Sequence, residues 1–215
     1  MLIHRWFLFV VVLTWCSAHT ALAERIVLFL GDSLTAGLGV EAEEAYPRLL
    51  GEMLRMDGVS GFRIVNGGIS GSTSASALSR LQWYDRTKPS VLFLALGAND
   101  GLRGLTIEEM RRNLTGVIVA AKERGMSILL AGMDLPPNYG DQYTDSFRQV
   151  YRDLAHQYQL DLIPFLLEGV GGIAALNQAD GIHPNAEGHR HIARHVYPIL
   201  KQHLEQLSPS SGNRP

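Results

Sequence analysis

A chain of 215 residues, 46% of them hydrophobic and 19% charged, is long enough to bury the core of one domain and carries no bias toward disorder. Its formal net charge is -2 at pH 7 with acids and bases interspersed, which excludes the basic stripe of a nucleic-acid binder. A single cysteine, Cys16, excludes a disulfide framework and a zinc–thiolate site.

The chain begins with His4 and Arg5, then runs apolar from Trp6 to Ala18 and reaches Ala21-Leu22-Ala23. That run is short of the roughly 20 apolar residues that cross a bilayer. A basic start, a short apolar run and a small-x-small site predict a secretory signal peptide over 1–23, cut after Ala23. An uncleaved anchor or a core helix is the alternative. Trp15 before Cys16 speaks against lipid attachment, since lipoprotein signals resemble one another in carrying a small residue there. Cleavage removes Arg5 and no acid, so the charge of -2 becomes -3, and it removes the only thiol. The mature chain then enters an oxidising compartment with its core alone to stabilise it.

Arg25 to Leu30 is an apolar run of strand length that ends at Gly31 and offers Asp32 and Ser33, which predicts a buried parallel strand running into a helix start. Ala45 to Met56 carries Leu49, Leu50, Met53 and Leu54 at helical spacing, and Phe62 to Asn66 is a second strand. The small-residue loop Gly67 to Ser74 leads to a helix through Ala77, Leu78 and Leu81. Ser90 to Leu96 is a third strand, followed at once by Gly97-Ala98-Asn99-Asp100-Gly101. Thr106 to Arg124 is a helix with Thr106 and Glu109 spaced as a capping box and Gly125 as its stop. Met126 to Ala131 is a fourth strand and Asp141 to Tyr158 a helix. Leu160 to Phe165 is a fifth strand interrupted by Pro164, Glu168 to Ala179 has no clear period, and Ala186 to Leu207 is the closing helix.

Five alternations of strand and helix without a long linker predict one doubly wound, flavodoxin-like α/β domain over 24–207. Its five-stranded parallel sheet takes the order 2-1-3-4-5 and is flanked by helices, and 208–215 forms a flexible tail.

Open parallel sheets bind ligands beyond the carboxyl ends of their strands. Asp32 and Ser33, the Gly71 loop, and Asn99 with Asp100 fall on that edge. If Asp180-Gly181-Ile182-His183-Pro184-Asn185 returns to it, Ser33 meets His183 with Asp180 beside the imidazole, the parts of a nucleophile, a base and an orienting acid. Each part has another use. Ser33 can cap a helix or hold a phosphate, and Asp180 and His183 can be a turn acid and a cap, or metal ligands without further ligands beside them. Asp32 reads as a turn residue. His189, His191 and His195 lie in the last helix, where His191 and His195 have the spacing of metal ligands but read as a solvated face. The Gly67–Gly71 loop lacks the lysine of a phosphate-binding loop and the spacing of a dinucleotide fold.

Gly31-Asp32-Ser33-Leu34, the Gly71 loop, Gly97-Ala98-Asn99-Asp100 and Asp180-Gly181-Ile182-His183-Pro184 resemble, in order, the four motif blocks of the SGNH, or GDSL, hydrolases. The agreement runs over essentially the whole mature chain. Gly101-Leu102-Arg103-Gly104 and Leu135 to Gly140 are similar to loops of the periplasmic bacterial subgroup described as thioesterase, arylesterase and lysophospholipase.

The resemblance implies Ser33 as nucleophile, His183 as its base and Asp180 as the residue that holds the imidazole. It implies an oxyanion hole made of the N–H groups of Ser33 and Gly71 and the side-chain amide of Asn99. It implies a serine esterase acting on esters and thioesters, with no metal and no organic cofactor. Leu102, Leu105, Pro136 and Tyr139 are expected to line an acyl groove. The expected partners are small acyl esters or thioesters, lysophospholipids among them, with no nucleic acid and no stable membrane insertion after cleavage. The protein is expected to be a periplasmic monomer, with secretion beyond the periplasm as the alternative address. A carbohydrate O-deacetylase of the same family is one competing function, and a secreted binding module without a nucleophile is another. A nucleotide or flavin protein of similar topology is a third.

Overall fold

Val27, Leu28, Phe29 and Leu30 have no exposed surface, and a strand buried on both faces needs helices on both sides. In the computed structural model, which describes residues 24–207, they form the middle of β1 (Arg25–Gly31). The expected signal peptide at 1–23 and the tail at 208–215 lie outside the described residues. β2 (Phe62–Asn66), β3 (Val91–Ala95), β4 (Ser127–Ala131) and β5 (Asp161–Ile163) complete one parallel sheet in the order β2-β1-β3-β4-β5, as the alternation of elements predicts. β5 stops at Ile163, shorter than the expected Leu160 to Phe165, because Pro164 has no N–H to donate to the ladder.

The helices are α1 (Ser33–Ala36), α2 (Tyr46–Met56), α3 (Ala77–Trp83), α4 (Ala98–Leu102), α5 (Ile107–Glu123), α6 (Asp141–Tyr158) and α7 (Ala186–Leu207). α2 packs with α7, and α5 packs with α3 and α6, so the two groups cover the sheet as the layers of a doubly wound fold. Phe29 of β1 stacks on Phe93 of β3 at 4.2 Å, and Tyr46 of α2 meets Phe29 edge-on at 6.0 Å. Thr106 caps α5, its hydroxyl oxygen accepting the Glu109 N–H at 3.3 Å and lying 3.1 Å from the Glu109 carboxylate, as the capping-box spacing anticipates. The segment without a clear period holds one 3₁₀ turn at Ala174–Leu176. Among the described residues no helix is long and apolar enough to cross a membrane.

β1 lies between β2 and β3, so the connections leave it in opposite directions and a crevice opens at its carboxyl end. Ser33, the Gly67–Ser74 loop and Asn99 all emerge there.

Candidate active site

Of the uses open to a serine in this position, helix capping is taken by its neighbour. Asp32 is the N-cap of α1, its Oδ1 accepting the Leu34 N–H at 3.0 Å, and Ser33 is the first helical residue with its hydroxyl left over. That hydroxyl, Oγ, lies 3.0 Å from His183 Nε2. His183 Nδ1 lies 2.7 Å from Asp180 Oδ2, while Asp180 Oδ1 accepts the N–H groups of His183 at 3.0 Å and Ile182 at 2.9 Å. The backbone N–H of His183, then its ring, then the Ile182 N–H hold the Asp180 carboxyl down to about 2. An ionised carboxylate only accepts, so Nδ1 carries the ring proton and Nε2 is left to accept from the Ser33 hydroxyl.

The loop that carries His183 reaches this edge because Gln178 anchors it. Gln178 Nε2 donates to Leu38 O at 2.7 Å, just past α1, and to Pro184 O at 3.0 Å, while the Gln178 N–H donates to His183 O at 2.7 Å. Gln178 falls in the segment without periodicity, and nothing in its local sequence marks it. Arg80, likewise unmarked, is buried in α3 and donates from Nη2 to Gly31 O at 2.8 Å and to Gly67 O, tying the end of β1 to the start of the glycine loop.

Among the described residues, no hydrogen bond takes the N–H of Ser33 or of Gly71. Gly71 has φ +76°, a conformation that favours glycine, and Arg103 Nη2 donates to its carbonyl at 2.9 Å. Asn99 Nδ2 donates to Ser72 O at 3.1 Å and reaches Asp32 Oδ2 at 3.4 Å, a long contact that leaves its second hydrogen loosely held. Ser33, Gly71 and Asn99 are thus joined through their immediate neighbours at one edge of the sheet.

Asp32 is the turn residue the sequence suggests, yet it is also almost wholly buried. Burial pushes its carboxyl up to about 6, against the opposing hydrogen bond from Leu34 and the nearby His183 and Arg80. Of the expected acyl-groove residues, Tyr139 donates its hydroxyl to Leu102 O at 2.9 Å, which joins the two loops, and Leu105 and Pro136 are exposed. The solvated face expected for His191 and His195 holds for His191, which is half-exposed beside Glu187 at 3.4 Å. His195 turns inward, its Nε2 3.1 Å from Phe165 O. His189 is buried, accepting the Tyr46 N–H at 3.3 Å, and burial lowers its pKa to about 4. Among the described residues no cluster of three or more His, Cys, Asp or Glu side chains could hold a metal ion.

A second grouping of the same residue types sits at the opposite edge, where β4 and β5 begin. Ser127 Oγ lies 3.0 Å from His203 Nε2, and His203 Nδ1 lies 2.5 Å from Asp161 Oδ2. Here the Ser127 N–H is donated to Ser90 O, so the nucleophile's own amide is not free for an oxyanion.

Residues 29–191 match the GDSL-like lipase/acylhydrolase family, and the chain belongs to it. Two relatives and one solved structure illustrate the likeness. The chain is 41% identical over 180 residues to "Esterase TesA" of Pseudomonas aeruginosa, covering 83% of this chain and 89% of that one. It is 36% identical over 195 residues to "Thioesterase 1/protease 1/lysophospholipase L1" of Escherichia coli K12, covering 89% and 90%. The crystal structure of the psychrotrophic esterase EstA from Pseudoalteromonas sp., inhibited by monoethylphosphonate, superposes with a TM-score of 0.80 at 31% identity, covering 85% of this chain and all of that one.

Proposed function

We propose that the protein is a serine esterase that hydrolyses carboxylic esters and thioesters, aryl esters, acyl-CoA and lysophospholipids among them, through an acyl-enzyme on Ser33. The observation that carries this is the chain from Ser33 Oγ to His183 Nε2 and from His183 Nδ1 to an Asp180 that stays ionised, which leaves Nε2 able to accept the serine proton. Similarity to relatives named as esterase and thioesterase supports it independently.

In the first half-reaction His183 Nε2 takes the Ser33 proton as Oγ bonds to the carbonyl carbon. The oxyanion that forms meets the N–H groups of Ser33 and Gly71 and the amide of Asn99. The tetrahedral adduct collapses, and the imidazolium gives its proton to the departing alcohol or thiol. Water enters, His183 takes one of its protons, and hydroxide attack followed by loss of Ser33 Oγ releases the carboxylic acid and restores the hydroxyl. The acyl half is shared by all substrates, so esters and thioesters differ only in the leaving group. Leu102, Leu105, Pro136 and Tyr139 line the acyl chain's path. The enzyme acts as a monomer and is exported to the periplasm with cleavage after Ala23; the basic start, apolar run and small-x-small site of 1–23 support the export.

The test is hydrolysis of a chromogenic ester series from acetyl to palmitoyl, and of acyl-CoA, by the mature protein and its Ser33→Ala variant. Turnover of medium or long chains that is lost in the variant is expected. Activity confined to acetyl esters would redirect the function to deacetylation, and inactivity of both proteins would leave a binding module.

A further inference from the structure

The two loops that carry Gly71 and Asn99 are joined by three ties. Arg103 Nη2 donates to Gly71 O at 2.9 Å, Asn99 Nδ2 donates to Ser72 O at 3.1 Å, and Asp100 takes Ser74 with both carboxylate oxygens. The third differs in kind. Asp100 is 2% exposed and Ser74 1% exposed, whereas Arg103 is exposed. Asp100 Oδ2 accepts the Ser74 N–H at 2.8 Å and Oδ1 accepts the Ser74 hydroxyl at 2.5 Å, while Asn113 Nδ2, from α5, donates to Ser74 Oγ at 3.1 Å. That hydroxyl is therefore directed: with an amide N–H pointing at its oxygen, its own proton goes to Asp100.

A buried carboxylate is costly unless it is hydrogen-bonded or paired. Among the described residues no Lys, Arg or His forms an ion pair with Asp100, and the groups that sense its charge, the hydroxyls of Tyr143 and Tyr151, are neutral. What the carboxylate supplies is a two-pronged, charge-assisted tie between loops 26 residues apart in the chain. It stands one residue after Asn99 and fastens a residue three after Gly71.

We infer that Asp100 is a positioning residue that, through Ser74, sets the separation of the Gly71 N–H and the Asn99 amide to fit the tetrahedral oxyanion. This rests on the serine-esterase function proposed above. Asp100 does not contact the reacting atoms, and its negative charge would oppose the oxyanion if it did; both its oxygens are turned to Ser74. Because donor position matters most when charge has developed on oxygen, a shift of the two loops weakens transition-state binding more than substrate binding.

The test compares wild type with Asp100→Asn, Ser74→Ala and Ser74→Thr on a short-chain chromogenic ester, and measures inhibition by an alkylboronic acid, whose adduct with Ser33 is tetrahedral. Asp100→Asn places an NH2 opposite one of the two Ser74 donors, and it is expected to lower kcat by about 10–100-fold with KM little changed, as for misplaced catalytic groups generally. Boronate affinity should fall by the same factor. Ser74→Ala is expected to follow in the same direction, and Ser74→Thr, which keeps both donors, should restore kcat and boronate affinity together. Wild-type kcat in both Asp100→Asn and Ser74→Ala would overturn the role, as would a loss of kcat with boronate affinity unchanged. If Asp100→Asn does not fold, Ser74→Ala against Ser74→Thr decides by the same criteria. Failure of the esterase function is read separately: turnover that survives in Ser33→Ala would remove it, whereas an inactive Ser33→Ala beside a fully active Asp100→Asn removes only the positioning role.

Discussion

Asp32 Oδ1 accepts the N–H of Leu34 at 3.0 Å, so the residue before Ser33 caps α1 and the Ser33 hydroxyl is left for His183. The same carboxyl is buried beside the nucleophile, and burial raises its pKa from 3.8 to about 6. His189, buried on the α7 side of the core, has its pKa lowered from 6.5 to about 4.

These two groups make opposite contributions to stability over the same pH window. A buried acid with a raised pKa binds more protons folded than unfolded, so its contribution falls as pH rises from 3.8 through about 6. A histidine with a lowered pKa contributes fully above 6.5 and loses that contribution as pH falls toward about 4. Each shift corresponds to about 3 kcal/mol, so the two nearly offset each other. Asp32→Asn keeps a capping side chain and removes one of them. The variant is expected to be more stable than wild type at neutral pH, and its stability should rise between about pH 4 and about pH 6.5 where that of wild type stays level. Urea unfolding across this range is the measurement; parallel profiles for the two proteins would contradict the opposed pair.

Asn99→Ala removes the side-chain amide that reaches the neighbours of Gly71 and Ser33, Ser72 O and Asp32 Oδ2. The loss is expected to be about 2.7–4 kcal/mol of transition-state stabilisation, read as a kcat about 10²–10³-fold lower with the fold intact. Unchanged turnover would take Asn99 out of the oxyanion hole.

Ser127→Ala disrupts the second Ser–His–Asp grouping. Turnover should equal that of wild type, while stability drops by about 1 kcal/mol for the lost hydrogen bond to His203. Loss of esterase activity with an unchanged thermal midpoint would instead make Ser127 part of the chemistry.

Replacing both Leu102 and Leu105 with alanine should shift chain-length preference toward short acyl groups. Each leucine buried by an acyl chain is worth about 1.5–3 kcal/mol, so kcat/KM for long chains should fall at least tenfold relative to acetyl. An unchanged preference would place the acyl path elsewhere.

By itself the sequence determined the sheet and its order, because apolar runs such as Val27 to Leu30 and Val91 to Leu96 must be buried whatever surrounds them, and their alternation with amphipathic helices leaves one economical topology. It also determined which loops meet: Gly31-Asp32-Ser33, the Gly71 loop and Asn99-Asp100 each follow a strand, and parallel strands put their carboxyl ends on one edge. Local chemistry was legible where the partners are a few residues apart, as in Thr106 with Glu109 and Asp180 with His183.

Only the tertiary structure decided that Asp32 and not Ser33 caps α1, that Gln178 anchors the His183 loop, that His189 and His195 turn inward, and that Asp100 fastens Ser74. Only it separates Ser33 with His183 from Ser127 with His203, two pairs with the same 3.0 Å spacing. The Ser127 amide is spent on Ser90 O, while no hydrogen bond among the described residues takes the amide of Ser33 or of Gly71. Whether a polar group is free or spent, buried or wet, depends on partners brought from distant parts of the chain, and periodicity and local motifs carry no record of those partners.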